Sequence, residues 1–144
     1  MKKLAFSSAF TLIELLVVIS IIGILVAVSA FGLQGARESA RDARRKADLE
    51  TIRSGLELYH SDCNVYPTGS GSVVSALGAS LSGSCPNSIT YIQSVPNDPI
   101  SDRNYYYSSD GSTYELCAAV ETETGSAGCA GSCGITCSLR LTNP

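Results

Sequence analysis

A single acidic residue, Glu14, lies inside an otherwise apolar segment near the start of the chain. Residues 10–33 carry no other charge, and a carboxylate at the centre of a membrane helix costs about 2.5–3.5 kcal/mol on insertion scales. Nothing inside the segment can neutralise this charge. We therefore expect the partner of Glu14 to come from elsewhere, which points to assembly with another chain.

Six cysteines form the second group with chemical capability, and all of them lie beyond residue 60. An even count in a small polar region behind a membrane signal favours disulfide bonds in an oxidising compartment. The candidates are Cys63, Cys85, Cys117, Cys129, Cys133 and Cys137. Their connectivity stays open, and we favour Cys63–Cys85 together with a bond from Cys117 to one of the last three.

A zinc site is the alternative for Cys129, Cys133 and Cys137, which recur every four residues. Structural zinc sites usually add a paired second half and often a histidine. The one histidine, His60, is far away in sequence, so disulfides are favoured and no metal ligand is predicted.

Other candidate chemistry is sparse. The acidic residues Asp98, Asp102 and Asp110 would suit calcium, but acidic side chains are also common in turns, so no cofactor is expected. His60 has no nucleophile motif, phosphate loop or paired acid to act with, and we predict no catalytic residue and no enzyme. The net charge of −3 gives no support for direct nucleic-acid binding.

The apolar segment 10–33 is long enough to be a membrane anchor. At 1.5 Å per residue it gives about 36 Å of helix, more than the hydrocarbon core of about 30 Å. Lys2 and Lys3 precede it and favour a cytoplasmic N-terminus, which leaves the cysteine-rich end outside. Two alternatives are an ordinary signal peptide, cleaved after Val28-Ser29-Ala30, and a plain uncleaved anchor.

Residues 34–60 continue the helix in amphipathic form, so that one helix is predicted from about residue 10 to about residue 60. Small and apolar residues largely at spacings of three and four define its predicted buried stripe: Ala36, Ala40, Ala43, Ala47, Ile52, Leu56 and Tyr59. One interpretation of the basic cluster 41–46 is contact with phosphates or lipid head groups. Because acids are interleaved with it, a solvated face or a salt-bridge face between subunits is favoured.

Residues 61–144 are rich in Gly, Ser, Thr, Asn and Tyr, which predicts a loop-rich region with short strands. We expect a short helix within 73–81, strands within 90–94, 105–108, 114–120 and 137–141, and a tight turn at Asp110-Gly111. We expect residues 125–134 to form a loop that is cross-linked by its cysteines. The fold class is α+β, with a long N-terminal helix packed on a small antiparallel sheet.

The hexapeptide Phe10-Thr11-Leu12-Ile13-Glu14-Leu15 behind a short basic leader resembles the class III signal of bacterial type IV prepilins and type II secretion pseudopilins. This resemblance implies that a prepilin peptidase removes the leader 1–9 by cutting between Ala9 and Phe10 and methylates the new amine of Phe10. The chain departs from the family pattern in having Ala9 where glycine is usual and no proline near residue 31. The calcium loop of major pseudopilins is not recognisable, and the cysteines occupy that C-terminal region.

The resemblance also supplies a partner for Glu14, because cleavage creates a positive amine on Phe10 that a neighbouring subunit could bring to the carboxylate. The expected function is a structural subunit of a type IV pilus-like filament. The alternatives are the major pseudopilin of a type II secretion system and a membrane-anchored binding module that does not polymerise. Expected partners are further copies of the chain, the prepilin peptidase, the assembly machinery and the inner membrane. After assembly the subunit would reside in an extracellular filament or a periplasmic pseudopilus.

Overall fold

A computed structural model describes residues 10–83, 85 and 88–143. The predicted leader 1–9, with Ala9 and the two lysines, lies outside the described residues. Contacts divide the chain into two compact units after Arg37, an N-terminal helical unit and a body. The elements in chain order are α1 (Leu12–Cys63), β1 (Gly69–Ser72), α2 (Val73–Leu77), β2 (Leu81–Gly83), β3 (Ile89–Ile92), β4 (Tyr106–Ser109), β5 (Tyr114–Ala118) and β6 (Leu139–Thr142).

Helix α1 confirms the single long helix predicted from the sequence. No proline precedes Pro67, so nothing removes a backbone donor from the helical ladder. The glycines at 32 and 35 stay within the helix. The helix ends where the N–H of Asn64 donates to the carbonyl of His60 at 2.8 Å, and Asn64 has a φ of 57°, a conformation that asparagine tolerates better than most residues.

Four strands form an antiparallel sheet in the order β1-β4-β5-β6. Strands β4 and β5 form a hairpin around the predicted turn, in which Asp110 Oδ1 accepts from the N–H groups of Ser112 and Thr113, both at 2.8 Å. Gly111 has a φ of +95°, which favours glycine at this position. A separate two-stranded sheet pairs β2 with β3. The antiparallel α+β architecture expected from the sequence is therefore confirmed.

Two strands, β1 and β2, were not predicted. The sequence of β1 is Gly-Ser-Gly-Ser, which lacks the β-branched and aromatic side chains typical of strands. It is a strand because Gly69–Ser72 pair with β4, so tertiary contact overrides local preference. The predicted helix within 73–81 is shorter than expected, because it stops at Gly78 (φ 84°) and Leu81 already begins β2.

The body packs against one face of α1 that differs from the predicted stripe. Arg45, Leu49, Ile52 and Leu56 are completely buried and follow one another at spacings of four, three and four. Ala43 and Ala47, by contrast, are exposed. The alanine part of the prediction is wrong because charged side chains, rather than small apolar ones, meet the body at this end of the face.

The tyrosines 105–107, at the start of β4, contribute to both faces of the sheet. Tyr105 and Tyr107 belong to the main core with Leu49, Ile52 and Leu56, while Tyr106 packs on the opposite face with the C-terminal cysteines. The Tyr105 hydroxyl donates to Asp48 of α1 at 2.8 Å, and the Tyr114 hydroxyl donates to Glu57 at 2.9 Å. Helix carboxylates thus satisfy the buried hydroxyls, as buried polar groups require.

Candidate functional site

The N-terminus of α1 is built as a capping box around the acid identified from the sequence. The Thr11 hydroxyl and the Thr11 N–H both donate to Glu14 Oε2, at 2.7 and 2.9 Å. In return the N–H of Glu14 donates to Thr11 Oγ1 at 3.3 Å. This reciprocal arrangement satisfies helix-end donors that would otherwise lack partners. It also fixes the Glu14 carboxylate at the start of the helix.

No lysine or arginine among the described residues forms an ion pair with Glu14 within this single chain. The apolar side chains around it are exposed on all sides of the helix, including Phe10 (79%), Ile13 (69%) and Ile24 (65%). A helix that is apolar all round is stable only when buried in lipid or in other protein. By length and composition α1 can span a membrane.

The basic cluster 41–46 corrects the sequence-based interpretation in part, because Arg44 and Lys46 are solvent-exposed as expected whereas Arg45 is not. Arg45 is fully buried, and its Nε and Nη2 donate to the two carboxylate oxygens of Asp98 at 2.7 and 3.0 Å. Its Nη1 donates to Asp42 and to Glu121, both at 2.7 Å. The cluster therefore joins α1 to two distant segments of its own body.

Asp42 extends this network to the backbone. Its carboxylate accepts from the N–H groups of Glu121 and Thr122, both at 2.9 Å, and from the Thr122 hydroxyl at 2.8 Å. Burial by itself raises the pKa of Asp42, but these donors together with Arg45 outweigh it and lower the pKa to about 2. Arg41 and Arg45 likewise outweigh burial at Glu121 and lower its pKa to about 2.

Sequence reasoning did not identify Arg45 as a buried residue. A signal was present, because Arg45 lies four residues before Leu49 and so continues the face of Leu49, Ile52 and Leu56. Its partner Asp98 lies in the segment Pro96-Asn97-Asp98-Pro99, and the sequence suggested for it only a turn or a calcium ligand. Nothing in the local sequence connects these two positions.

The six cysteines form three disulfide bonds, Cys63–Cys85, Cys117–Cys129 and Cys133–Cys137. The first bond is the pair favoured from the sequence, and the second joins Cys117 to one of the last three cysteines, as expected. The first bond ties the end of α1 to the segment between β2 and β3. The other two close the C-terminal loop over the face of the sheet that carries Tyr106.

The acidic residues considered for calcium do not form a cation site. Both Asp98 oxygens accept from Arg45, and Oδ1 also accepts from the N–H of Ile100 at 2.8 Å. Asp110 is occupied by its turn. Within the described part of the chain, the one cluster with metal-ligand geometry is made of cysteine sulfurs. Asp98 and Asp110 therefore do not fit a calcium ion, and Asp102 belongs to no cluster of possible ligands among the described residues.

His60 lies near the end of α1, where its ring stacks on Tyr66 with centroids 4.4 Å apart. The stacking on Tyr66 gives His60 a packing role at the edge of the core.

Two family profiles match this sequence. The profile for type II secretion system (T2SS), protein G, matches residues 33–135, and the prokaryotic N-terminal methylation motif matches residues 5–30. The chain belongs to the type II secretion system protein G family. This membership confirms the resemblance to pilins and pseudopilins and supports the expected function, a pilus-like structural subunit. The family consists of structural subunits rather than enzymes.

Individual relatives agree with the family assignment. The chain is 32% identical over 114 residues to the type II secretion system core protein G of Vibrio cholerae, an alignment that covers 77% of each chain. It is 34% identical over 93 residues to the protein of the same name in Escherichia coli, covering 62% of this chain and 64% of the relative, which is less than two thirds of that protein. The Pseudomonas aeruginosa protein is 30% identical over 95 residues. No solved structure matches the chain.

Proposed function

We propose that this chain is the main building block of a type II secretion pseudopilus, polymerised through its N-terminal helix. The observation that carries this proposal is the exposure of every described side chain from residue 10 to residue 29, in a chain whose body has a hydrophobic core of its own. A surface of this kind is stable in the membrane before assembly and between subunits afterwards. Assembly exchanges one apolar environment for another.

Processing at Ala9–Phe10 by a prepilin peptidase, followed by methylation of the Phe10 amine, is part of the proposal. It is supported by the match to the methylation motif, which spans the proposed cut. The small side chain of Ala9 takes the place of the usual glycine. Cleavage releases a positive amine that the precursor lacks, one residue before Thr11 and four before Glu14.

The capping geometry suits Glu14 for pairing with the amine of a neighbour. Both bonds from Thr11 end on Oε2, so Oε1 takes part in neither of them. A buried ion pair adds little net stability, because desolvation offsets the attraction between the charges. Leaving either charge unpaired in an apolar filament core is strongly unfavourable, by about 3–5 kcal/mol. The pair therefore selects one axial register, while the apolar faces supply the adhesion.

The proposed location is the inner membrane first and a periplasmic pseudopilus afterwards, with the type II secretion machinery as the assembly partner. An extracellular pilus is the second candidate. The three disulfides of the body suit this location as well as the periplasm, since such bonds persist in both compartments.

The register proposal is tested with Glu14→Gln and Thr11→Val in cells that carry the assembly system. Glutamine keeps an oxygen that can accept the Thr11 bonds but removes the charge. Valine at position 11 leaves the charge of Glu14 in place and removes the Thr11 hydroxyl, which costs about 1 kcal/mol of helix capping. We expect Glu14→Gln to be cleaved but absent from filaments, and Thr11→Val to enter them. Normal assembly of Glu14→Gln would rule out the pairing.

The first residue of the mature chain and the location of the filaments distinguish the remaining hypotheses about processing and function. We expect Edman sequencing or mass spectrometry to find methylated Phe10 as the first residue. A chain that begins at Phe31 would indicate an ordinary signal peptide, and one that begins at Met1 in cells with the peptidase would indicate a plain anchor. Loss of exported proteins on deletion, without sheared filaments, supports the pseudopilus, whereas filaments in the sheared supernatant support the pilus. If neither outcome is observed, a binding module that does not polymerise is favoured.

A further inference from the structure

The sulfurs of the C-terminal loop lie closer together than two independent disulfides require. The Sγ atoms of Cys117, Cys129 and Cys137 all lie within 4.8 Å of one another. Cys133 is bonded to Cys137, so that its sulfur adjoins the same cluster. Two neighbouring disulfides therefore gather four sulfurs at one place, on the face of the sheet opposite the main core.

Hydrogen bonds that do not involve the disulfides hold the loop in this position. The N–H of Ala127 donates to the carbonyl of Cys137 at 2.9 Å, and the N–H of Asn104 donates to the carbonyl of Cys133 at 3.1 Å. Ala130 donates to the Glu115 carboxylate at 3.0 Å. The loop is thus tied to β5 and to the chain before β4 by its backbone, and these ties do not depend on the sulfur–sulfur bonds.

Two glycines allow the loop to lie close against the body. A Cβ at Gly131 would come within 2.0–2.4 Å of the Tyr106 ring, and one at Gly134 would come within 2.3 Å of the Asp102 carbonyl. Gly134 also has a φ of +85°. Close packing and backbone bonding both predict that the four cysteines keep their places when their disulfides are opened.

The positions of the cysteines suit a tetrahedral thiolate site. Zinc binds thiolate sulfur at about 2.3 Å, which places the sulfurs of a tetrahedron about 3.8 Å apart. The Cα atoms are 6.5 Å apart for Cys117 and Cys129 and 5.4 Å apart for Cys133 and Cys137. Three intervening residues separate Cys129 from Cys133 and Cys133 from Cys137, within the spacing usual for zinc ligands. Cys117, Cys133 and Cys137 are buried, so water is excluded from most of the cluster.

We propose that the four C-terminal cysteines form a redox-gated site for one thiophilic metal cation. In the oxidised chain the two disulfides close the site. A dithiol or phosphine reductant supplies two electrons to each disulfide, and each bond opens to two thiols with uptake of two protons. The four thiols then release protons to the solvent as their thiolates bind one Zn²⁺. Two molecules of a disulfide oxidant, each taking two electrons and two protons to become two thiols, re-form both bonds and so release the ion.

The test uses the full chain in detergent, with Cys63→Ser and Cys85→Ser introduced together to remove the thiols at the distant disulfide. After anaerobic reduction with a phosphine, Co²⁺ is added as a spectroscopic probe and then displaced by Zn²⁺. We expect one equivalent of Co²⁺ with the visible absorption bands of a tetrahedral thiolate complex, and no such bands before reduction. Adding Cys117→Ser and Cys137→Ser to this background should abolish the bands.

A reduced chain that binds no Co²⁺ would overturn the proposal, and so would binding that persists in the variant with Cys117→Ser and Cys137→Ser. Near-ultraviolet circular dichroism of the tyrosines, recorded on the same samples, reports whether the body keeps its packing on reduction. Loss of that signal before metal is added would also overturn the proposal, because it requires the backbone to hold the cysteines in place without their disulfides.

Discussion

The guanidinium of Arg45 and the carboxylate of Asp98 form a two-point contact in the interior of the body, with Nε–Oδ2 and Nη2–Oδ1 distances of 2.7 and 3.0 Å. Both side chains are fully buried. Asp42 and Glu121 complete the surroundings of the same guanidinium. One arginine thus pairs with carboxylates from three separate parts of the chain, and these contacts tie the second half of α1 to the segments around Asp98 and Glu121.

Removal of this arginine should be costly. We expect Arg45→Met to lower the free energy of unfolding of the body by about 3–5 kcal/mol, because Asp42 and Asp98 are left buried without their cation. The measurement is denaturant unfolding of the full chain in detergent, followed by near-ultraviolet circular dichroism. Arg44→Met is the matched control, since the Arg44 side chain is 65% exposed and its pair with Asp48 is long, at 3.8 Å. Equal losses in the two variants would contradict the assigned role of Arg45.

Acid should weaken the same network. The folded-state pKa values of Asp42 and Glu121 are lowered to about 2, from ordinary values near 4. Below the ordinary values the unfolded chain takes up protons that the folded chain does not, so stability is lost as the pH falls from about 5 towards 2. Thermal unfolding between pH 7 and pH 2 measures this loss. Asp42→Asn should be less stable at pH 7 and should show a shallower decline. A decline as steep as in the unmodified chain would assign the acid sensitivity to other groups.

The disulfides should differ in the stability that they contribute. The Cys63–Cys85 bond closes a longer loop than Cys133–Cys137, with sequence separations of 22 and 4. Chain-entropy reasoning gives about 3 kcal/mol for the first bond and about 2 kcal/mol for the second. Unfolding of Cys63→Ala/Cys85→Ala and of Cys133→Ala/Cys137→Ala compares them directly, with the unmodified chain as reference. The reverse order would show that strain or residual structure in the unfolded chain outweighs loop length.

Calcium removal should leave the stability of the body unchanged, because Asp98 already pairs with Arg45 and Asp110 already accepts hydrogen bonds within the hairpin turn. We expect the melting temperature of the oxidised chain to be the same with calcium and with a calcium chelator. The positive control is a thiol reductant, which should lower the melting temperature. A chelator-induced decrease that calcium reverses would reveal a cation site not formed by these acids.

The geometry around Glu14 is predictable in principle from the sequence because its chemistry is local, although the capping box was not among the predictions. Thr11 and Glu14 are three residues apart, so the capping box follows from helix geometry once the helix starts there. The continuous apolar run determines the exposed first part of α1. The tight turn at Asp110 is equally local, since its bonds reach only two and three residues ahead.

Contacts between distant residues were decided only by the tertiary structure. In the sequence, Arg45 is one charge in a basic cluster and Asp98 is a candidate turn residue. Only the folded structure shows that the two form an ion pair. The strand β1 has no strand-like residues and exists because β4 offers it hydrogen-bonding partners. The sequence alone determined the membrane-length helix, the single acid within its apolar segment and the number of cysteines, all of which depend on residue type and short spacing. The tertiary structure decided which charges are buried and which sulfurs meet, because both depend on the distance between segments that are remote in the chain.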